Sequence, residues 1–149
     1  MKISEPGSES VSNSDQLKKT SYGIGDASFQ AAGGIEGVTR LVDEFYDQMC
    51  IRDEAKTIRS MHADDLSESR EKLALFLSGW LGGPKLYREK YGPIRIPAAH
   101  SHLDIGIQER DAWLMCMQKA LDVQPYQEDF KHYLLEQLFV PAERSRNRD

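Results

Sequence analysis

The chain has 149 residues, which is near the commonest size of a single domain and too short for two. Its 19 basic and 24 acidic residues give a formal net charge of −5 and form no contiguous basic stripe, so nucleic acids and anionic membranes are not expected partners. No apolar stretch is long enough to span a membrane, and residues 1–21 lack the apolar centre of a signal peptide. We therefore expect a cytoplasmic protein with one folded domain.

Residues 1–24 contain many serines and few large apolar side chains, so we expect a polar N-terminal extension. The predicted domain covers residues 25–142, and residues 143–149 are predicted to be a polar C-terminal tail. Two cysteines, Cys50 and Cys116, lie inside apolar helical patterns. This setting predicts two buried free thiols rather than a disulfide.

Four segments have the apolar period of a helix. The first follows the pair Gly33 and Gly34, and its apolar residues are Ile35, Val38, Val42, Phe45 and Met49. The second has two candidate N-cap residues, Asp64 and Asp65, and ends at residues 82–84 (Gly-Gly-Pro). The apolar residues of the last two segments are Ile107, Trp113, Leu114, Met117 and Leu121, then Phe130, Tyr133, Leu134, Leu138 and Phe139.

The segment between residue 84 and Ile107 contains Gly92, Pro93 and Pro97, so only short helical turns are expected there. No alternating strand pattern of useful length occurs anywhere in the chain. The fold class is therefore predicted to be all-α. The long irregular segment favours a globin-like sandwich over an up-and-down bundle, because such bundles have short connections.

For each histidine, the role of a metal ligand competes with an ordinary role, because most histidines are surface or hydrogen-bonded residues. The chain has His62, His100, His102 and His132. His100 follows a proline-limited turn between two apolar helices that are suited to enclosing a flat macrocycle. His102 is its competitor, but side chains two residues apart on a helical turn point to different sides. No Cys-x-x-Cys-His motif is present, so any haem would be held without covalent attachment.

The motifs of the second half of the chain resemble those of the truncated haemoglobins of the second group. The similarity extends from about Gly33 to Phe139 and depends on the combined order and spacing of the motifs. They are residues 81–84 (Leu-Gly-Gly-Pro), Tyr87, residues 92–93 (Gly-Pro), His100 and residues 109–113 (Glu-Arg-Asp-Ala-Trp). This resemblance implies a truncated 2-on-2 helical sandwich around haem b. It also implies that His100 is the proximal iron ligand and that Trp113 is the indole that marks this group.

On the distal side, the resemblance implies that Tyr46 and Trp113 donate hydrogen bonds to a diatomic ligand. The family commonly has an aromatic residue followed by proline in the segment where this chain has Met61 and His62. Either residue can take that position, and we favour His62 because its imidazole is also a donor. A second hypothesis stays open, in which His62 or Tyr46 binds the iron directly when no gas is present.

Two further sets of residues follow from the resemblance. The distal wall is predicted to contain Ser69, Leu73, Phe76 and Leu77. For the three apolar members of this set, core packing and lining the wall are the same role. The predicted contacts to the haem carboxylates are Lys72, Tyr87 and Arg95. For Lys72 and Arg95, an ordinary solvated surface charge is the competing interpretation.

The resemblance implies a haem protein that binds dioxygen, carbon monoxide and nitric oxide. Redox activity toward nitric oxide or peroxide, supported by an unidentified reductase, stays open with it. One alternative is a haem-based gas or redox sensor that acts through a partner protein. Another is a haem-free helical interaction module, in which His100 and Trp113 only pack. No nucleophile constellation, phosphate loop or cluster of metal ligands points to a different enzyme class.

Overall fold

All regular structure in residues 22–148, the part of the chain that this computed structural model describes, is helical. The all-α prediction is therefore confirmed. None of the helices in these residues is long and apolar enough to cross a membrane. A 3-10 turn, Asp53–Ala55, leads into the third of the α-helices. The α-helices are α1 (Ala27–Ala31), α2 (Gly34–Ile51), α3 (Lys56–Ser60), α4 (Ser67–Trp80), α5 (Leu86–Tyr91), α6 (Ile96–Ala99), α7 (Ile107–Asp122) and α8 (Glu128–Arg144).

Helix α2 is the central element, because it packs against both α4 and α7, and α7 in turn packs against α8. The buried face of α2 includes side chains that are at most 1% exposed: Val38, Leu41, Val42, Phe45 and Met49. Burying an apolar side chain of this size contributes roughly 1.5–3 kcal/mol. The α2–α4 pair and the α7–α8 pair therefore meet through α2 and α7, as a 2-on-2 sandwich requires.

The end of α4 depends on two glycines. Gly82 has a φ of 93°, in the left-handed region, and a Cβ at this position would collide with the backbone of Gly25. A Cβ at Gly83 would overlap the ring of Phe29. The turn is closed by the Ser78 hydroxyl, which donates to the carbonyl of Pro84 at 2.7 Å. Residues 82–84 thus end the helix and let the N-terminal segment pack against it.

The N-cap of α4 is Leu66, so neither Asp64 nor Asp65 takes the predicted N-cap position, and only Asp65 contacts the first turn of the helix. The Ser67 backbone N–H donates to Asp65 Oδ1 at 2.9 Å, and this hydrogen bond lowers the pKa of Asp65. Asp64 instead presents its backbone carbonyl to the Arg59 guanidinium at 3.0 Å. A carboxylate near the first turn is favoured there because it faces unpaired N–H groups and the positive end of the helix dipole.

Four apolar or thiol positions predicted to be buried lie at the surface. Ile35 and Ile107 belong to the first turns of α2 and α7, beyond the packed faces, and are 39% and 43% exposed. Phe139 is 42% exposed and lies under the Arg110 guanidinium, which is 5.0 Å from the ring centroid. Cys50 is exposed because one residue rotates the helix by about 100° from the buried Met49. Cys116 is a buried free thiol, as predicted.

Both ends of the described chain are attached to the helical core. The predicted extension lies outside the described residues except for residues 22–24, of which Tyr22 packs on Phe130 with ring centroids 5.2 Å apart. At the other end, α8 continues to Arg144, inside the segment predicted as a polar tail. Residues 145–148 then return to the backbone of Ile105.

Candidate functional site

His100 lies at the C-terminal end of α6, and one of its ring nitrogens already makes a hydrogen bond. Its Nδ1 lies 2.8 Å from the carbonyl oxygen of Ile96. A carbonyl only accepts, so Nδ1 carries the hydrogen and Nε2 keeps its lone pair. A fixed tautomer with a free Nε2 is the arrangement that an iron-ligating imidazole needs. The geometry therefore fits the role that the resemblance implies for His100.

The other candidate from the same turn lies in different surroundings. His102 is exposed and lines an open surface groove of about 420 Å³ together with Pro97, Asp104 and Asn147. His132 is also exposed, on α8. Of the four histidines, only His62 and His100 are half-buried and have Nδ1 within 2.8 Å of a backbone carbonyl.

His62 has the same ring arrangement as His100. Its Nδ1–H donates to the carbonyl of Ile58 at 2.8 Å, which leaves Nε2 free. Burial disfavours the imidazolium and lowers the pKa of His62, although the hydrogen bond to Ile58 acts in the opposite direction. The charges of Arg59 and His100 lower this pKa further. His62 is therefore kept neutral, so its free Nε2 is an acceptor, and the donor role expected for this imidazole is not available in this tautomer.

Tyr46 provides a buried donor without an acceptor. Its side chain is 5% exposed, and its hydroxyl has no hydrogen-bond partner within residues 22–148. Burial raises the pKa of Tyr46 to about 12, against the opposing charge of Arg70, so the phenol keeps its proton. A buried polar group without a partner costs about 1–3 kcal/mol. Such a group indicates a place for a ligand that accepts a hydrogen bond.

A chain of aromatic contacts joins the two elements that carry the predicted donors. The His62 ring meets the Tyr46 ring edge-on at 5.6 Å between centroids, and Tyr46 meets Phe45 at 4.9 Å. Phe45 in turn lies 5.0 Å from the Trp113 ring of α7. The Trp113 ring N–H also lacks a hydrogen-bond partner in the described part of the chain. Met61 is half-buried like His62, so burial alone does not separate the two candidates for the distal position.

The predicted wall residues of α4 differ in burial. Leu77 is fully buried in the core, whereas Leu73 and Phe76 are half-buried and pack against its edge. Ser69 is half-buried as well. Partly uncovered apolar side chains of this kind are suited to line a site for a flat apolar group.

The structure brings two of the three predicted carboxylate contacts to one edge of α4. The Tyr87 ring lies 6.5 Å from Phe76 and 5.1 Å from Tyr91, between centroids. The Lys72 ammonium is 5.1 Å from the Tyr91 centroid and also pairs with Glu68 at 3.2 Å. Arg95 is exposed at the start of α6 and shares no contact with Lys72 or Tyr87 within the described residues.

Sequence reasoning missed several residues around the site. Arg70 lies over the Tyr46 ring at 5.8 Å from its centroid and pairs with Asp43 and Asp47 at 3.1 and 2.9 Å, so it ties α4 to α2. The i,i+4 spacing of Tyr87 and Tyr91 is a local signal that could have shown Tyr91 on the same helix face.

The comparisons with known proteins agree with this geometry. A model of the family described as bacterial-like globin matches residues 27–142. The chain belongs to this family. The globin is also 32% identical over 117 residues to the Group 2 truncated hemoglobin YjbI of Bacillus subtilis (strain 168), an alignment that covers 78% of this chain and 86% of the relative.

Solved structures place the globin in the second group of truncated haemoglobins. The Group II 2-on-2 hemoglobin of the plant pathogen Agrobacterium tumefaciens is 33% identical with a TM-score of 0.78, covering 82% of this chain and 95% of that one. The cold-adapted truncated hemoglobin of the Antarctic marine bacterium Pseudoalteromonas haloplanktis TAC125 is 31% identical with a TM-score of 0.79, covering 82% and 98%. The fold class and the family resemblance are thus confirmed, and family membership implies a haem cofactor and haem-based oxygen binding.

Proposed function

We propose that this globin holds haem b without a covalent bond, through His100, and binds dioxygen, carbon monoxide and nitric oxide beside Tyr46, Trp113 and His62. Bound haem supplies an iron with a coordination position open to a diatomic gas. The observation that carries the proposal is the buried Tyr46 hydroxyl, which has no partner within residues 22–148 and belongs to a ring in contact with the His62 ring.

The protein's own contribution is to orient donors and exclude water. His100 offers Nε2 because Nδ1–H is held by Ile96. The Tyr46 hydroxyl and the Trp113 ring N–H are donors without internal acceptors, so they are available to a ligand that carries partial negative charge. Each such hydrogen bond contributes about 0.5–1.5 kcal/mol, or up to about tenfold in ligand retention. Two donors therefore favour slow release of dioxygen.

Spectroscopy of the purified protein, loaded with haemin if it is colourless, tests the proposal. We expect a strong Soret band that shifts when dithionite and then carbon monoxide are added. Acid butanone should extract all the colour if the haem is held without a covalent bond. A Soret band absent after haemin addition would overturn the proposal. If the colour stays with the polypeptide after extraction, the proposal that haem is held without a covalent bond is overturned.

The proposal includes redox activity toward nitric oxide or peroxide, because the donors that retain dioxygen also stabilise charge on a reacting ligand. In the nitric oxide reaction, dioxygen, nitric oxide and one electron give nitrate. The ferrous protein supplies that electron, and an unidentified reductase restores it. Mixing the ferrous protein, equilibrated with dioxygen, with nitric oxide should produce nitrate faster than dioxygen is released. The proposed redox activity would be contradicted if nitric oxide bound to the iron only as fast as dioxygen is released and no nitrate formed.

Lys72 on α4, Tyr87 on α5 and Arg95 at the start of α6 are proposed to face the haem carboxylates. Only the first two share a local cluster with Tyr91. A Lys72→Ala variant should therefore lose haem faster than Arg95→Ala. Equal rates in the two variants and the parent protein would remove Lys72 from this role.

A further inference from the structure

The residues after α8 form a connected set of hydrogen bonds with the loop that carries His100. The Ile105 backbone N–H donates to Asn147 Oδ1 at 2.9 Å. The Ile105 carbonyl accepts from the backbone N–H groups of Asn147 and Arg148 at 2.8 and 3.2 Å. We call residues 145–148 the C-terminal arm. The backbone of the arm and the side chain of Asn147 thus both make hydrogen bonds to one loop residue, Ile105.

Asn147 extends this contact back to the proximal histidine. Its Nδ2 donates to the carbonyl of Leu103 at 2.6 Å and to the carbonyl of His100 at 3.3 Å. With the Ile105 bond included, one amide side chain spans residues 100–105. Ser145, in the same arm, lies with Oγ 3.5 Å from His100 Nδ1 and donates to the Pro141 carbonyl at 2.9 Å.

A buried carboxylate anchors the end of the arm. Glu109, whose side chain is 8% exposed, accepts from the Gly106 backbone N–H and from Arg148 Nη2, both at 2.7 Å. Arg148 also pairs through Nε with Asp104 at 2.5 Å. A buried carboxylate strongly favours keeping its cation, because losing the partner leaves an uncompensated charge. Glu109 therefore holds the arm against the loop.

The short helix beside His100 gives the histidine little support of its own. Helix α6 has four residues, none of them buried, and it packs against α8. A single turn without a buried face has almost no intrinsic stability. The His100 ring is hydrogen-bonded to Ile96 of this helix, so its orientation also depends on the contacts that hold α6 in place. The family match ends at residue 142, so the arm lies beyond the matched part of the chain.

We propose that the C-terminal arm, through Asn147, positions the imidazole of His100 for the iron. Asn147 is a positioning residue, because it holds the carbonyls of His100 and Leu103 rather than the ring itself. The inference rests on the proposed function, since the ring orientation matters only if His100 binds haem iron. Loosening the arm should let the ring rotate and weaken its bond to the iron.

Three variants of the full chain test this role. Asn147→Ala removes all three side-chain hydrogen bonds. Asn147→Asp keeps the acceptor for Ile105 but loses the donors to His100 and Leu103. Arg144→Ala is the matched control, because Arg144 is exposed at the end of α8 and its side chain has no polar partner within the described residues.

Two readouts separate positioning from general support of the fold. The first is the iron–histidine stretching band in the resonance Raman spectrum of the five-coordinate ferrous protein, recorded with all variants in a His62→Ala background if the parent protein is six-coordinate. The second is the rate at which haem transfers to apomyoglobin. We expect both Asn147 variants to shift or broaden the band and to lose haem roughly tenfold faster, as the loss of two hydrogen bonds in Asn147→Asp and three in Asn147→Ala implies. Arg144→Ala should match the parent protein in both.

The outcomes are distinct. If both Asn147 variants match Arg144→Ala in the Raman band and in the rate of haem transfer, the positioning role is overturned. The positioning role is also overturned if the Asn147 variants unfold at a lower temperature but keep the Raman band unchanged, because the arm then supports only the fold. If Asn147→Ala does not fold, Asn147→Asp carries the test. A parent protein that takes up no haem would overturn the proposed function itself, and the positioning role with it.

Discussion

The imidazole of His62 meets the ring of Tyr46 edge-on, with centroids 5.6 Å apart and planes at 78°. Both side chains present a polar atom that the described residues leave without a partner, Nε2 on His62 and the hydroxyl on Tyr46. One is a neutral acceptor and the other a neutral donor, because burial shifts both pKa values away from the charged forms.

Tyr46→Phe should speed the release of dioxygen by up to about tenfold, because it removes one donor to the ligand. The apoprotein should keep or gain stability, since the hydroxyl that is lost has no partner within residues 22–148. Stopped-flow displacement of dioxygen by carbon monoxide measures the release rate, and urea unfolding of the apoprotein measures stability.

Tyr126→Phe is the matched control for Tyr46→Phe. Burial raises the pKa of Tyr126 to about 12 as well, but its hydroxyl donates to the Ala32 carbonyl at 2.9 Å. This variant should lose about 1 kcal/mol of stability and leave dioxygen release unchanged. If Tyr46→Phe behaved in the same way, Tyr46 would be a structural residue only.

Trp113→Phe should also speed dioxygen release, because it removes the ring N–H but keeps an aromatic contact with Phe45. The effect of combining it with Tyr46→Phe should differ from the sum of the single effects, since donors to one ligand are coupled. A double-mutant cycle of release rates measures this coupling. Strictly additive effects would show that the two donors do not share a ligand.

His62→Ala tests whether His62 binds the iron when no gas is present. If it does, the low-spin, six-coordinate ferrous spectrum of the parent protein should become five-coordinate in the variant. His132→Ala, at an exposed position of α8, is the control and should leave the spectrum unchanged. A six-coordinate spectrum that survives in His62→Ala would remove His62 as the internal ligand and leave Tyr46.

Glu143→Gln should weaken the protein at neutral pH and change its response to acid. Hydrogen bonds from Arg146 and Arg110 lower the pKa of Glu143 from about 4.5 to about 2. A carboxylate with a lowered pKa in the folded state stabilises the fold above its unfolded pKa, and this stabilisation is lost as the pH falls from about 4.5 to about 2.

Urea unfolding of the apoprotein at pH 7, 4 and 3 measures that response. The difference between Glu143→Gln and the parent protein should be largest at pH 7 and shrink as the pH falls. Glu136→Gln is the control, because Glu136 is exposed on α8 and has no ion pair within the described residues. A difference that stays constant with pH would mean that the ion pairs of Glu143 contribute nothing to stability.

The long helices were predictable because their signals are local. The three-and-four spacing from Val38 to Met49 corresponds to a face that is at most 1% exposed, and residues 82–84 end α4 through a left-handed glycine. The contacts of Asn147 were not predictable, because its partners lie 42 to 47 residues away in the sequence. The apolar period also predicted a buried Ile107, but this residue is exposed because it lies in the first turn of α7.

In the proposed function, His100 is the residue through which this globin holds its haem iron. His100→Gly and His102→Gly, two residues apart, test it most directly through the absorption spectrum of the reduced protein with and without carbon monoxide. We predict that His100→Gly loses the parent spectrum and regains it when free imidazole is added, while His102→Gly keeps it throughout. A parent-like spectrum in His100→Gly without imidazole would contradict the account.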